Sequence, residues 1–131
     1  MKIYIIRHGE TDWNVKGLLQ GQTDTELNEY GIELARVTGR NMKGIKFDKC
    51  ISSPLKRAYE TARIVLCESG NDIPIETDKR IMEIFLGERE GLPGTTKVGG
   101  RSLFNRPDVD KKNPGGESMR DVMVRSQEFL K

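Results

Sequence analysis

The chain opens on an apolar, partly β-branched run, Ile3-Tyr4-Ile5-Ile6, that stops abruptly at Arg7-His8-Gly9. Such a run predicts a short buried strand. The residues from Arg7 to Asn14 then follow the strand's carboxyl end, where ligands bind in open α/β sheets. Lys16 to Glu26 is polar, contains Gly17 and Gly21, and reads as a loop. Asn28 is placed to cap a helix that runs to about Met42 and stops at Gly44. Ile32, Ala35 and Met42 roughly share one face of it, and Gly31 and Gly39 count against its helical propensity. Phe47 to Ser52 reads as a second strand. Ser53-Pro54 marks the next helix start, with serine as cap and proline in the first helical position. Leu55, Ala58, Ala62, Val65 and Leu66 follow at helical spacing until Gly70. Ile73 to Thr77 is the third predicted strand, with Pro74 near its start.

From Gly87 to Gly116 the pattern lapses, and glycine and proline recur. A span of that length without regular structure is usually functional or mobile. Ser118 to Leu130 regains helical spacing, with Val122, Met123, Phe129 and Leu130 as its expected buried side. The order strand, helix, strand, helix, strand, loop, helix predicts the α/β class: three layers, α/β/α, around a mostly parallel sheet. The 131 residues fit one domain.

Composition narrows the function classes. Hydrophobic residues make up 35% and charged residues 32%, as in a globular protein. Twenty-two Lys and Arg nearly balance twenty Asp and Glu, so no basic field argues for nucleic acid. No apolar stretch reaches the length of a membrane span. The apolar start meets charge too early for a signal peptide, so the expected compartment is the cytoplasm. Cys50 and Cys67 stand apart without metal-like spacing and read as reduced thiols. His8 is the sole histidine, which leaves no histidine-rich metal site, and no metal or other cofactor is expected.

Three places carry candidate chemistry. Arg7 offers a planar fork of donors suited to phosphate oxygens. His8 can act as a neutral nucleophile near pH 7. Gly9 permits close backbone approach, and Asn14 adds a neutral donor. In Ser52-Ser53-Pro54-Leu55-Lys56-Arg57, Arg57 falls in the first turn of a helix, where the dipole opposes a cation unless an anion sits between them. Glu83, flanked by Met82, Ile84 and Phe85, is either a partly desolvated general acid or a solvent-facing glutamate. Glu88 and Glu90 are its rivals for an acid role.

Taken together, these segments resemble the histidine-phosphatase (phosphoglycerate-mutase-like) superfamily. Arg7-His8-Gly9-Glu10-Thr11 with Trp13-Asn14 looks like its signature, and Gln20-Gly21, Asp24, Leu27 and Gly31 continue it. Ser52-Ser53-Pro54-Leu55 with Arg57-Ala58 and Thr61-Ala62 is similar to the second motif. Glu83, Gly87 and Glu90-Gly91 resemble the proton-donor segment, and Gly115-Gly116-Glu117-Ser118 a segment that opens a late helix. The resemblance implies that His8 becomes a transient phosphohistidine and that Arg7 and Arg57 bind phosphoryl oxygens. It also implies that Asn14, Gln20 and Gly21 line the pocket and that Glu83 is the general acid and base. Ser118 and Glu117 read as helix-capping residues.

Departures from the pattern shape the expectations. The family's second active-site histidine, on a later strand, has no counterpart. The chain therefore reads as a domain incomplete at its carboxyl end, without the last strand or strands and helix. Losing one such preorganised donor typically costs about 10²–10³ in turnover. Open sheet edges would make the chain marginally stable alone or lead it to pair with another chain, a homodimer being one such form. Arg89 stands where many relatives carry an aromatic residue; it either biases the pocket toward a more anionic substrate or faces solvent. The expected activity is a phosphatase acting on small phosphorylated substrates. A phosphoglycerate mutase is the alternative, disfavoured by the short span between Gly91 and Gly116. A non-catalytic phosphate-binding remnant is the reading from another class. Arg101 and Arg106 read as surface residues.

Overall fold

The computed structural model describes residues 1–95 and 108–131, together with the backbone of 97–98 and 101–102. Arg106 and the side chain of Arg101 lie outside the described residues. Among the described residues there are four α-helices, α1 (Asp12–Val15), α2 (Glu29–Asn41), α3 (Lys56–Ser69) and α4 (Met119–Phe129), and two short 3₁₀ turns, Lys79–Ile81 and Gly87–Arg89. Strand β1 (Cys50–Ser52) pairs in parallel with β2 (Ile75–Thr77), with Cys50 opposite Ile75 and Ser52 opposite Thr77. A small antiparallel pair joins β3 (Lys97–Val98) to β4 (Arg101–Ser102). The α/β class and the parallel pairing therefore hold.

The first predicted strand does not form. Residues 3–6 have no strand pairing, and Ile3 and Ile5 are exposed at 69% and 94%. An apolar run becomes a strand only when another backbone meets its N–H and C=O groups. Among the described residues none does so. Tyr4 is the anchor of this segment, packing edge-on against Phe47 with ring centroids 5.5 Å apart.

The helix starts follow local chemistry. The Asn28 side chain accepts from Gly31 N–H and caps α2 as predicted. The α3 helix begins two residues later than the Ser-Pro signal suggests, at Lys56. Ser53 Oγ accepts from Leu55 N–H, and the first helical N–H, that of Lys56, goes instead to Asp24 Oδ1 at 2.7 Å. Ser118 forms a capping box with Asp121 at the start of α4. On that helix Val122 and Phe129 are half-buried, whereas Met123 and Leu130 are exposed.

Helix α2 packs along α3. The glycines that weaken its propensity permit close packing, Gly39 against α3 and Gly31 against the segment that carries His8. A Cβ on Gly31 would stand 2.1 Å from the Glu10 carbonyl oxygen, and one on Gly39 would stand 2.5 Å from Glu68 Cβ. Packing thus overrides propensity. The crossing at Gly31 presses α2 onto the segment that carries His8, because Gly9 faces Gly31 in the same way. Asn28 N–H donates to the Glu10 carbonyl at 3.0 Å, tightening the same crossing. The buried apolar residues Ala35, Leu55, Ile64, Val65 and Leu66 belong to α2, α3 and the turn before α3, while Leu19 and Leu86 form a second small cluster under the loops. Among the described residues no helix is long and apolar enough to cross a membrane.

Gly31→Ala is expected to destabilise the chain by about 1–3 kcal/mol, the usual cost of overpacking. Chemical denaturation checks it; an unchanged midpoint would show that this crossing is not tight.

Candidate active site

His8 is half-buried at the rim of an open depression of about 220 Å³ lined by Arg7, His8, Gly9, Glu10 and Asn14. Its Nδ1 lies 2.7 Å from the Gly9 carbonyl oxygen. A carbonyl only accepts, so Nδ1 carries the proton and Nε2 keeps its lone pair. That lone pair faces Arg57, whose Nε–H points at His8 Nε2 from 3.3 Å. Burial is the main cause that lowers the His8 pKa from its ordinary value. The charges of Arg57 and Arg7 push the same way, while the Gly9 carbonyl and Glu83 pull it back up. The imidazole is thereby kept neutral, as a nucleophile must be.

Arg57 is 1% exposed. Its two terminal nitrogens donate to the carbonyls of Gly21 at 2.7 Å and Thr23 at 2.8 Å. The sequence-based expectation of an anion between this cation and the helix start is met differently here: backbone carbonyls hold it. Burial pushes its pKa down, and the charges of Glu83, Asp24 and Glu90 act against that. The His8 segment and α3 are tied together by Thr61, which accepts from Gly9 N–H at 3.1 Å and donates to the Arg57 carbonyl at 2.7 Å.

The amide of Asn14 has a determined orientation. Its Oδ1 accepts from Thr11 N–H at 3.0 Å, which leaves the NH₂ group for the depression that Asn14 lines. Gln20 behaves differently: its Oε1 receives the hydroxyls of Thr11 at 2.7 Å and Thr25 at 2.6 Å, and it is not among the lining residues. Gly21 contributes its carbonyl to Arg57 and does not line the depression either. Both act from behind the site. Arg7 is exposed and lines the depression, with its charge bearing on His8.

Glu83 is exposed, the solvent-facing one of the two readings its local pattern left open. Its flanking residues Met82 and Ile84 are only half-buried, and Phe85 is exposed. Glu83 nevertheless lies close enough to His8 and Arg57 for its charge to bear on both. Its backbone carbonyl is held by Gln22 Nε2 at 2.9 Å and by Arg125 at 3.1 Å. Gln22 and Arg125 are the residues that sequence reasoning passed over; nothing in their local pattern marks them. Arg89 is 6% exposed and outside the lining set, which removes the solvent-facing reading of it. Among the described residues no group of His, Cys, Asp or Glu is arranged to hold a metal ion.

Comparison with known proteins agrees with this geometry. A family model described as histidine phosphatase superfamily (branch 1) matches residues 3–131. A 2,3-bisphosphoglycerate-dependent phosphoglycerate mutase of Methylobacterium sp. (strain 4-46) is 38% identical over 94% of this chain and 62% of its own length. Phosphoglycerate mutase-like protein 4 of Arabidopsis thaliana is 39% identical over 95% of this chain and 56% of its own. Among solved structures, a mycobacterial glucosyl-3-phosphoglycerate phosphatase in complex with VO₃ superposes with a TM-score of 0.79 at 34% identity, covering 94% of this chain and 62% of that one. A putative α-ribazole-5'-P phosphatase of Escherichia coli gives a TM-score of 0.78 at 30% identity, covering 95% and 63%. The chain thus spans about three fifths of the length of these relatives.

The single imidazole is expected to titrate below about 6.5, the ordinary histidine value, with its proton on Nδ1 in the neutral form. Nitrogen-15 NMR of His8 reads both. A midpoint at or above the ordinary value, or a neutral ring protonated on Nε2, would contradict the geometry.

Proposed function

The chain belongs to the histidine phosphatase superfamily, and from that premise we propose that it is a phosphomonoester hydrolase working through His8. The observation that carries the proposal is the neutral Nε2 of His8, fixed by the Nδ1 bond to Gly9 and faced by Arg57. Nε2 attacks phosphorus, a P–N bond forms, and the ester P–O bond breaks as Glu83 gives a proton to the leaving oxygen. Water then attacks the phosphohistidine, passes a proton to Glu83, and releases phosphate with the imidazole restored. Arg7 and the Asn14 amide stand at the same depression, where they meet phosphoryl oxygens. Arg57 stabilises the charge of the transferring group. Positioning and cationic stabilisation are the main requirements of phosphoryl transfer, and this set of residues supplies both without a metal. The substrate class is small phosphorylated molecules.

One observation favours a second reading. Curated relatives at 38% and 35% identity are named 2,3-bisphosphoglycerate-dependent phosphoglycerate mutases. A mutase would return the phosphoryl group to a second hydroxyl and would need a bisphosphate for priming. We favour hydrolysis because the span between Gly91 and Gly116 is short. Stimulation by added bisphosphate separates the two.

Association is also part of the proposal. The exposed Ile3 and Ile5 offer an unpaired apolar edge of the kind that pairs with another chain. Ile5→Lys is expected to abolish concentration-dependent association, read by light scattering; an association that survives the substitution would refute this edge as its cause.

An aryl phosphate hydrolysed without added metal at mildly acid to neutral pH gives the direct test. His8→Ala is expected to lose at least about a thousandfold in turnover, and Glu83→Gln about 10²–10⁴. Equal rates in wild type and His8→Ala would remove the proposed route.

A further inference from the structure

Glu90 is half-buried and both of its oxygens are engaged by uncharged donors, whereas the half-buried Glu117 and Asp78 are paired with Arg125 and Arg80. Oε1 accepts from Gln22 N–H at 2.7 Å and from Leu86 N–H at 3.1 Å, and Oε2 takes the hydroxyl of Thr23. It does not line the depression at His8. The backbone it grips is the backbone that grips Arg57. The peptide unit joining Gly21 to Gln22 gives its N–H to Glu90 and its carbonyl to Arg57. Thr23 repeats the arrangement with its hydroxyl and its carbonyl. Arg57 in turn reaches His8 Nε2.

We propose that Glu90 is a positioning residue that fixes the Gly21–Thr23 backbone and, through its carbonyls, holds the Arg57 guanidinium on His8 Nε2. The inference rests on the reading of His8 as the nucleophile. Two features make the relay specific. A rotation of the Gly21–Gln22 peptide would break the bonds to Glu90 and Arg57 at once, so each supports the other. The residue at 21 must also be glycine: its φ is +53°, and a Cβ there would stand 2.1 Å from Glu90 Oε1.

The indirect link has a chemical purpose. A carboxylate paired directly with Arg57 would compete with phosphoryl oxygens for the guanidinium donors. Neutral carbonyls fix the cation and leave its charge for the transferring group. Glu90 is thereby separated from the acid role that its place beside Glu83 in the sequence suggests. Its two oxygens already accept from three N–H and O–H donors, two on Oε1 and one on Oε2.

The sole histidine makes a clean reporter. It is faced by Arg7 from its own segment, by Arg57 from α3 and by Glu83 from the segment after the 79–81 turn, and Glu10 lines the same depression. NMR titration of His8 is compared in wild type, Glu90→Ala, Glu90→Gln and Arg57→Ala, alongside binding of inorganic phosphate by calorimetry. Withdrawing the Arg57 charge removes one of the influences that lower the His8 pKa, so Glu90→Ala is expected to raise the midpoint, in the direction of Arg57→Ala. Phosphate affinity is expected to fall about ten- to a hundredfold, as when a hydrogen bond to a charged group is lost. Glu90→Gln keeps an acceptor for Gln22 and Leu86 and is expected to remain nearer wild type. Loss of packing alone would lower the melting temperature without this ordered shift. A folded Glu90→Ala with the wild-type midpoint and phosphate affinity overturns the proposal. If Glu90→Ala does not fold, Thr23→Val removes one leg of the grip and decides in the same way by the direction of its smaller shift. The titration reads Arg57 placement without turnover, so a wild-type chain that never hydrolyses a phosphoester through His8 would defeat the functional reading separately.

Discussion

Burying the guanidinium of Arg57 is the constraint on which the rest of this site depends. Its place in the first turn of α3 sets it against the helix dipole, and at 1% exposure it has almost no water to solvate it. A buried cation must find acceptors or it unfolds what surrounds it. The acceptors are the carbonyls of Gly21 and Thr23, so the polar loop after α1 has to fold back over α3. That loop also supplies Asp24, which takes the first N–H of the helix. Thr61, one turn along α3, then fastens Gly9 and with it the ring of His8. The helix, the loop and the His8 segment are thus assembled around one side chain.

Much of this was legible in the sequence, for local reasons. Asn28, Ser118 and Gly70 announce helix ends through their own hydrogen bonding or backbone conformation. Residues with chemistry tied to their type, such as His8, Arg7 and Asn14, line one depression. What failed was whatever depends on a distant partner. Ile3–Ile6 has the composition of a strand but, among the described residues, no backbone beside it. Gly31 and Gly39 weaken α2 as isolated residues and make its packing possible in place. Glu83 left two readings open and is exposed, because sequence neighbours in an irregular segment need not shield one another. Gln20 was read as lining the pocket but serves from behind, its carbonyl oxygen taken by two threonine hydroxyls. The contributions of Gln22 and Arg125, made through the backbone carbonyl of Glu83, carry no local signature.

The chemistry follows from the same economy. Burial and the nearby cations disfavour the charged form of His8, and neutral carbonyls hold the Arg57 guanidinium beside it. Phosphatases and mutases both occur among the relatives of known name.

The most direct measurement is the intact mass of the protein after brief exposure to a phosphoester and quenching at alkaline pH, where phosphohistidine survives. The account predicts addition of one phosphoryl group, mapped to His8 and absent from His8→Ala. Turnover of the ester without any such adduct, in a variant slowed at the second step, would contradict it.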